Sequence, residues 1–246
     1  MCGIVGYIGN KNAQDFLITG LKRLEYRGYD SAGIVTLDGN QATLLRSKGK
    51  IAGLEEKVAK SKKSDKIGIG HTRWATHGEP SEKNAHPHQS GTIYLVHNGI
   101  IENYKELKDQ LKDHDFKSDT DSEVLAALID SFYDNGEHTL TDAVVQALKL
   151  VQGTYGIAVV TTDHPDEIVV ARSGSPLVIG VGNHETLIAS DASALVGHTK
   201  KAIYLNDGEV ATIRDDSIEI KTLNSQPVSA KVETIQTDLS AIQKGG

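Results

Sequence analysis

The sequence favours an α+β fold in which strands and helices occupy separate stretches of the chain. Strand patterns prevail early, helical patterns follow one another from residue 103 to residue 151, and short β-like runs fill the chain after residue 154. Because helices do not alternate one by one with strands, a doubly wound parallel sheet is disfavoured. Two β-sheets packed between layers of helix fit this order of elements.

Each element is assigned from its hydrophobic spacing and its flanking residues. Strands are predicted at 2–8, 32–37, 42–47, 66–72, 92–97, 154–161, 167–172, 176–181, 185–190, 201–205, 209–213 and 217–221. Helices are predicted at 11–26, 51–61, 103–113, 121–134 and 139–151. Asp38-Gly39-Asn40 is the expected turn between paired strands, and Asp121 is the expected cap of the helix that begins there.

Charge and composition limit the classes of function. The 246-residue chain carries 26 Lys and Arg against 33 Asp and Glu, a net charge of −7, which disfavours a nucleic-acid or anionic-membrane surface. The single cysteine excludes an internal disulfide and suits a reducing compartment. The sequence shows no secretory signal and no apolar run of the ~18 residues that a membrane span needs. We therefore expect a cytoplasmic protein without nucleic-acid or membrane partners.

The second residue carries the most informative chemistry. Cys2 follows a methionine that is commonly removed before a small residue, and removal would leave a thiol and a free α-amine on one residue. The thiol would then be a nucleophile with a base beside it, because an α-amine titrates near neutral pH. The alternative is a small, buried, structural cysteine in the first strand.

Two segments that follow strands supply groups suited to such a nucleophile. An asparagine amide and the next backbone N–H, as in Asn98-Gly99, are suitable oxyanion donors, although Asn-Gly is also a common turn. Arg73 lies in a polar segment, residues 71–78, and arginine can hold a carboxylate through two hydrogen bonds. The long polar loop that follows is typical of a lid, with an ordinary surface loop as the alternative.

An acidic cluster and a histidine-rich stretch allow further interpretations. Residues 119–123 hold three acids at a predicted helix start, where a capping box leaves one acid to face a cationic ligand group. Five of the ten histidines fall between 71 and 97, but none has helical zinc spacing and Cys2 lacks a cysteine partner. Residues 173–176 lack the lysine and helix of a phosphate-binding loop and favour a turn. We therefore predict neither a metal nor a cofactor.

Several motifs spread over most of the chain. They are Cys2-Gly3-Ile4-Val5-Gly6, the run from Arg23 to Gly33, His71 to Gly78, His97-Asn98-Gly99, Thr120-Asp121 and Ser173-Gly174-Ser175-Pro176-Leu177. Together, and in this order, they resemble the glutaminase domain of glutamine–fructose-6-phosphate aminotransferases. The run from Tyr26 to Gly33 favours that family over phosphoribosyl-pyrophosphate amidotransferases, asparagine synthetases and glutamate synthases, which share the N-terminal cysteine.

The resemblance implies a fold and a reaction. The fold is that of N-terminal-nucleophile hydrolases, a four-layer αββα sandwich. Cys2 would be the nucleophile with its own amine as base, and Asn98 with the Gly99 N–H would form the oxyanion hole. The reaction would be hydrolysis of the side-chain amide of L-glutamine to glutamate and ammonia, through a γ-glutamyl thioester.

The resemblance also implies how glutamine is held. Arg73 would bind the α-carboxylate, helped by Thr76 and His77, and Asp121 would bind the α-ammonium group. Trp74 would lie on the loop that closes over glutamine and separates water from the path of ammonia. A zwitterionic amino acid needs one cation and one anion, and this pair supplies them.

Members of the family are more than twice as long and carry sugar-phosphate isomerase domains after the glutaminase. We therefore expect residues 1–225 to form the glutaminase domain and residues 226–246 to begin a linker. Fructose-6-phosphate would be a partner only through the missing C-terminal half, so this chain is expected to hydrolyse glutamine without making glucosamine-6-phosphate. Family members associate largely through that half, which makes a monomer the expectation here. A non-catalytic module and a histidine-rich metalloprotein stay open as alternatives.

Overall fold

The computed structural model describes residues 2–61, 63–75, 78–133 and 138–235. The strands are β1 Gly3–Gly9, β2 Ser31–Asp38, β3 Gln41–Lys48, β4 Ile67–Arg73, β5 His88–Ser90, β6 Ile93–Ile101, β7 Gly153–Thr161, β8 Glu167–Ser173, β9 Val178–Val181, β10 Glu185–Ala189, β11 Lys201–Tyr204, β12 Glu209–Arg214, β13 Ile218–Thr222, β14 Pro227–Val228 and β15 Glu233–Thr234. The α-helices are α1 Ala13–Leu24, α2 Ile51–Ser61, α3 Tyr104–Gln110, α4 Asp121–Phe132 and α5 Leu140–Leu150.

The strands form two antiparallel sheets. The first sheet has the order β15-β11-β9-β10-β1-β4-β2-β3, and the second has the order β14-β13-β12-β8-β7-β6-β5. β1 lies inside the first sheet between β10 and β4, and β6 pairs along its length with β7 in the second. The strand that begins directly after Cys2 is therefore paired with a neighbour on each side.

The side-chain alternation of β1 shows how the layers are stacked. Ile4 and Ile8 pack in a core shared with the second sheet, whereas Val5 and Tyr7 pack in a core shared with α1. A third core lies between the second sheet and α3, α4 and α5. The order of layers is helix, sheet, sheet, helix, and the predicted αββα sandwich is confirmed.

The same alternation places polar residues at one end of the space between the sheets. Tyr94 and Val96 of β6 face that space, so Asn98, two residues further, has the same facing. Ile69 of β4 also faces it, which gives His71 and then Arg73 the same direction. Because side chains alternate along each strand, the polar residues at the ends of β1, β4 and β6 point into the same space and form one cluster.

Some predicted bounds differ from the structure. The helix predicted to end at residue 26 stops at Leu24 and continues as a 3₁₀ turn, a tighter winding that is frequent at helix ends. The cap of α4 is Thr120, which accepts from the Glu123 N–H, and Asp121 is the first helical residue; the prediction of Asp121 as cap was wrong. The Thr120 hydroxyl, on extended backbone, reaches that N–H, so the Asp121 carboxylate is not the cap and accepts from the Ile101 N–H instead.

Residues 227–234 contribute short edge strands to both sheets. β14 pairs with β13 in the second sheet, and β15 pairs with β11 in the first. These strands lie in the segment for which a linker is predicted, and residues 236–246 of that segment lie outside the described residues. The boundary at residue 225 stays a prediction.

We expect Gly33→Ala to lower the free energy of unfolding by about 1–3 kcal/mol, the cost of overpacking a close-packed interior. A Cβ at Gly33 in β2 would lie 2.2 Å from the His86 carbonyl oxygen, which belongs to the loop beside the polar cluster. Gly156→Ala in β7 is the matched control, because its nearest neighbour would be the Ser175 side chain at 3.3 Å. Denaturant unfolding measures both; equal losses would contradict the prediction.

Candidate active site

The thiol of Cys2 is held by the backbone at the end of β4. The Trp74 N–H donates to Sγ at 3.2 Å, and Sγ lies 3.5 Å from the Trp74 carbonyl oxygen. This contact follows from the β1–β4 register, in which Gly3 is opposite Thr72. Burial raises the pKa of the thiol, against the lowering effects of the Trp74 hydrogen bond, the N-terminal charge and Arg73. The thiol is therefore protonated near neutral pH and needs a base to become a nucleophile.

The Asn98 amide lies directly beside Cys2. Its Nδ2 donates to the Cys2 carbonyl oxygen at 3.3 Å, and its Oδ1 is 3.0 Å from Nε2 of His71. Because an amide oxygen only accepts, Nε2 of His71 carries the proton. Burial lowers the pKa of His71 to about 3, so this imidazole is neutral at physiological pH.

Gly99 has a backbone that other residues cannot adopt without strain. Its φ is +135°, and a Cβ there would lie 2.0 Å from the Thr154 carbonyl oxygen of the neighbouring strand β7. A glycine at this position could serve to let the backbone come close to a substrate. In the structure the close approach is that of β7, and it leaves the backbone beside Cys2 without a covering side chain.

Two buried residues of opposite charge line the cavity beside Cys2. Arg73 is 4% exposed, and its guanidinium donates to the carbonyl oxygens of Gly78 at 3.2 Å and Glu79 at 3.4 Å. Asp121 is 5% exposed, and its Oδ2 accepts from the Ile101 N–H at 2.8 Å. Burial lowers the pKa of Arg73, while Cys2 and Asp121 act in the opposite direction; an arginine still stays charged.

The segment before β2 supports the backbone around Trp74. Asp30 accepts from the Ala75 N–H at 2.8 Å, and a Cβ on Gly28 would lie 2.7 Å from the Arg73 carbonyl carbon. The Tyr29 ring packs edge-on against the Trp74 indole, with centroids 5.8 Å apart. Trp74 itself is 46% exposed, so it lies where the site meets solvent.

A small cavity joins these groups. Its volume is about 20 Å³, close to the space that one water molecule occupies, and it opens beside a larger groove of about 320 Å³. Its lining residues are Cys2, Arg73, Trp74, His86, His97, Gly99, Thr120, Asp121 and Ser122. The cavity by itself is smaller than an amino acid, and the adjoining groove shares Cys2, Trp74 and Gly99 with it.

The structure thus brings together six of the residues singled out in the sequence. Cys2, Arg73, Trp74, Gly99 and Asp121 line the cavity, and Asn98 lines the adjoining groove. Thr76 and His77 lie outside the described residues. Sequence reasoning missed His71 and Asp30 as supporting residues. His71 could have been found from the alternation of β4, because it points to the same side of the strand as Ile69 and Arg73. No pattern in the neighbouring sequence indicates the contact of Asp30 with Ala75.

Four of the five histidines between 71 and 97 are described, and all four are buried. Each hydrogen-bonds to a protein group rather than facing a common point: His71 to Asn98, His86 to the His97 N–H, His88 to Thr120, and His97 to Ser122. Across the described ranges, no group of three or more His, Cys, Asp or Glu is placed to share a metal ion. In the same ranges, no helix has the length and apolarity to cross a membrane.

Comparison with known proteins identifies the family. Residues 53–237 match the family described as "Glutamine amidotransferase domain". The chain belongs to the glutamine amidotransferases. The resemblance inferred from the motifs is therefore confirmed.

Two curated relatives of this amidotransferase domain are glutamine–fructose-6-phosphate aminotransferases. The protein of Chlorobaculum tepidum is 52% identical over 254 residues, and that of Acinetobacter baylyi is 48% identical over 247 residues. Each alignment covers 100% of this chain, which spans 41% and 40% of the relatives' lengths. Among solved structures, the phosphoribosyl-pyrophosphate amidotransferase of B. subtilis superposes with a TM-score of 0.78 at 30% identity, over 92% of this chain and 50% of that one.

Replacing His71 with Gln should make stability less sensitive to acid. The pKa of about 3 in the folded state lies below the ordinary value near 6.5, so between these values the unfolded state binds the extra proton. Stability is therefore full above about pH 6.5 and falls as the pH decreases, by up to about 1.4 kcal/mol per pH unit for one histidine.

Denaturant unfolding between about pH 7 and about pH 5 measures this slope. His164→Gln, which removes an exposed histidine, is the control for the loss of one imidazole. An acid slope in His71→Gln equal to that of the unchanged chain would show that burial of His71 has no such effect.

Proposed function

We propose that this amidotransferase domain hydrolyses the side-chain amide of L-glutamine to glutamate and ammonia, with Cys2 as the nucleophile. One observation carries the proposal: a thiol, an amide donor, a buried cation and a buried anion meet at one end of the space between the sheets. A buried arginine and a buried aspartate in the same cavity as a thiol suit a zwitterionic amino acid whose side-chain amide is to be attacked.

The reaction follows from the chemistry of these groups. The α-amine of Cys2, freed by removal of Met1, takes the thiol proton as Sγ attacks the amide carbon. The tetrahedral oxyanion receives hydrogen bonds from Asn98 Nδ2 and the Gly99 N–H, which stabilise the developing charge. Collapse expels ammonia with the proton returned by the amine and leaves a γ-glutamyl thioester. Water then attacks that thioester, and glutamate leaves.

Substrate binding is proposed to use both ends of the zwitterion. Arg73 would hold the α-carboxylate, assisted by Thr76 and His77, and Asp121 would hold the α-ammonium group. Fixing both charged groups of the α-carbon directs the side chain so that the amide carbon of glutamine meets the thiol, a position that the side chain of asparagine, one methylene shorter, does not reach. Trp74 would cover the bound substrate, consistent with its position at the rim and with the small volume of the cavity.

The relatives suggest what becomes of the ammonia. We propose that, in a longer protein like the two relatives, ammonia is passed to fructose-6-phosphate to form glucosamine-6-phosphate. That amination would require the part of those proteins that this sequence does not cover. The proposed setting is the cytoplasm, and the glutaminase step itself uses only groups of this chain.

Cys2→Ala should abolish release of ammonia from glutamine, because it removes the attacking atom and leaves both binding charges in place. Cys2→Ser is the matched variant, because it keeps the size of the side chain and replaces the thiol with a weaker nucleophile. Glutamine binding, measured by calorimetry, should survive in Cys2→Ala. Ammonia release that persists in Cys2→Ala would exclude the thioester route, and binding without turnover in the unchanged, processed chain would indicate a non-catalytic module.

Retention of Met1 should also abolish turnover, because the Cys2 nitrogen would then be an amide without useful basicity. Intact-mass measurement separates processed from unprocessed protein, and the two fractions are assayed for ammonia release. The unprocessed fraction should bind glutamine but not hydrolyse it. Equal turnover by both fractions would show that the α-amine is not the base.

A further inference from the structure

We propose that His71 is a positioning residue that selects the catalytic orientation of the Asn98 amide. The inference rests on the proposed glutamine hydrolysis, because an oriented N–H group at Asn98 serves catalysis only beside an oxyanion formed at Cys2. His71 is completely buried and is not among the residues that line the cavity. Its influence on the reaction must therefore pass through another side chain.

The hydrogen bonds of Asn98 show what is selected. The two ends of a side-chain amide have nearly the same shape, so their orientation is set by neighbouring donors and acceptors. The Cys2 carbonyl oxygen accepts and attracts Nδ2, at 3.3 Å, while Nε2 of His71 donates to Oδ1, at 3.0 Å. Nδ2 has a second N–H, which no contact within the described part of the chain uses. In the reversed orientation, the amide oxygen would face the oxyanion, and its partial negative charge would repel the charge that forms there.

The imidazole of His71 is itself fixed. It stacks on the ring of His86, with centroids 4.1 Å apart and planes inclined by 21°. Nδ1 of His86 in turn accepts from the backbone N–H of His97, next to Asn98 on β6. His71 is thus connected to the strand of Asn98 in two ways, directly by its hydrogen bond to Asn98 and indirectly through the ring of His86. Tilting the His71 ring out of its plane would break the stacking on His86.

The environment also keeps this donor in one form. Burial holds His71 neutral, so its single N–H is the one that Asn98 receives. Nδ1 has no hydrogen-bond partner among the described residues, and Nε2 makes the hydrogen bond to the Asn98 side chain. The role requires a neutral N–H at the position of Nε2 and no charge.

A matched pair of substitutions tests that requirement. His71→Gln places an amide N–H₂ about as far along the side chain as Nε2, whereas His71→Asn places it near the position of Nδ1, out of reach of Asn98. We expect His71→Gln to keep most of kcat for glutamine hydrolysis. We expect His71→Asn to lower kcat roughly tenfold to a hundredfold, which is no more than the loss caused by removing an oxyanion donor. KM should change little, because the groups that bind glutamine are unchanged.

A double-mutant cycle with Asn98→Ala tests the route of the effect. If His71 acts only through Asn98, His71→Asn costs nothing further in the Asn98→Ala background. Three results would each overturn the proposal. The first is a full further loss of kcat when His71→Asn is added to Asn98→Ala, and the second is an equal kcat for the Gln and Asn variants. The third is a His71→Asn protein that no longer folds or binds glutamine. Failure of the proposed function has a different signature, since the unchanged, processed chain would then release no ammonia.

Discussion

The face-to-face packing of two antiparallel sheets is the constraint on which the site depends. Side chains alternate along each strand, so every second residue of β1, β4 and β6 points into the space between the sheets. Apolar residues fill that space, and at one end the same positions carry Cys2, Arg73 and Asn98 instead. A shift of one residue in any of these strands would send its polar side chain into a helix layer.

Burying polar groups between sheets requires that each one find a partner, since an unpaired buried group costs about 1–3 kcal/mol. Each buried histidine has an amide, hydroxyl or backbone partner, although Nδ1 of His71 has none among the described residues, and Asp121 accepts from the Ile101 N–H. These partners come from both sheets and from α4. The network therefore fixes the side chains that face the cavity, and it also ties the second sheet to its helix layer.

Much of this arrangement could be predicted from the sequence, and the reason differs among residues. The hydrophobic patterns allow two sheets packed between helix layers, and the family resemblance specifies the αββα order. The roles proposed for Cys2 and Asn98 follow from what their functional groups can do. The cap of α4 could not be decided from composition, because Thr120 and Asp121 are both good caps and only backbone geometry distinguishes them. The contact between Asp30 and Ala75 joins positions far apart in sequence, and no local pattern encodes such a pairing.

The surroundings of Cys2 favour the thiol over the thiolate. Burial raises the pKa of Cys2, and the thiol, not the thiolate, then faces a cavity with room for about one water molecule. Thiols of this kind resist oxidation, because susceptibility follows thiolate character and exposure. In the proposed reaction, the proton leaves only when the amine of the same residue is free and an amide carbon is within reach. In this proposal, activation of the nucleophile would need both the removal of Met1 and the binding of glutamine.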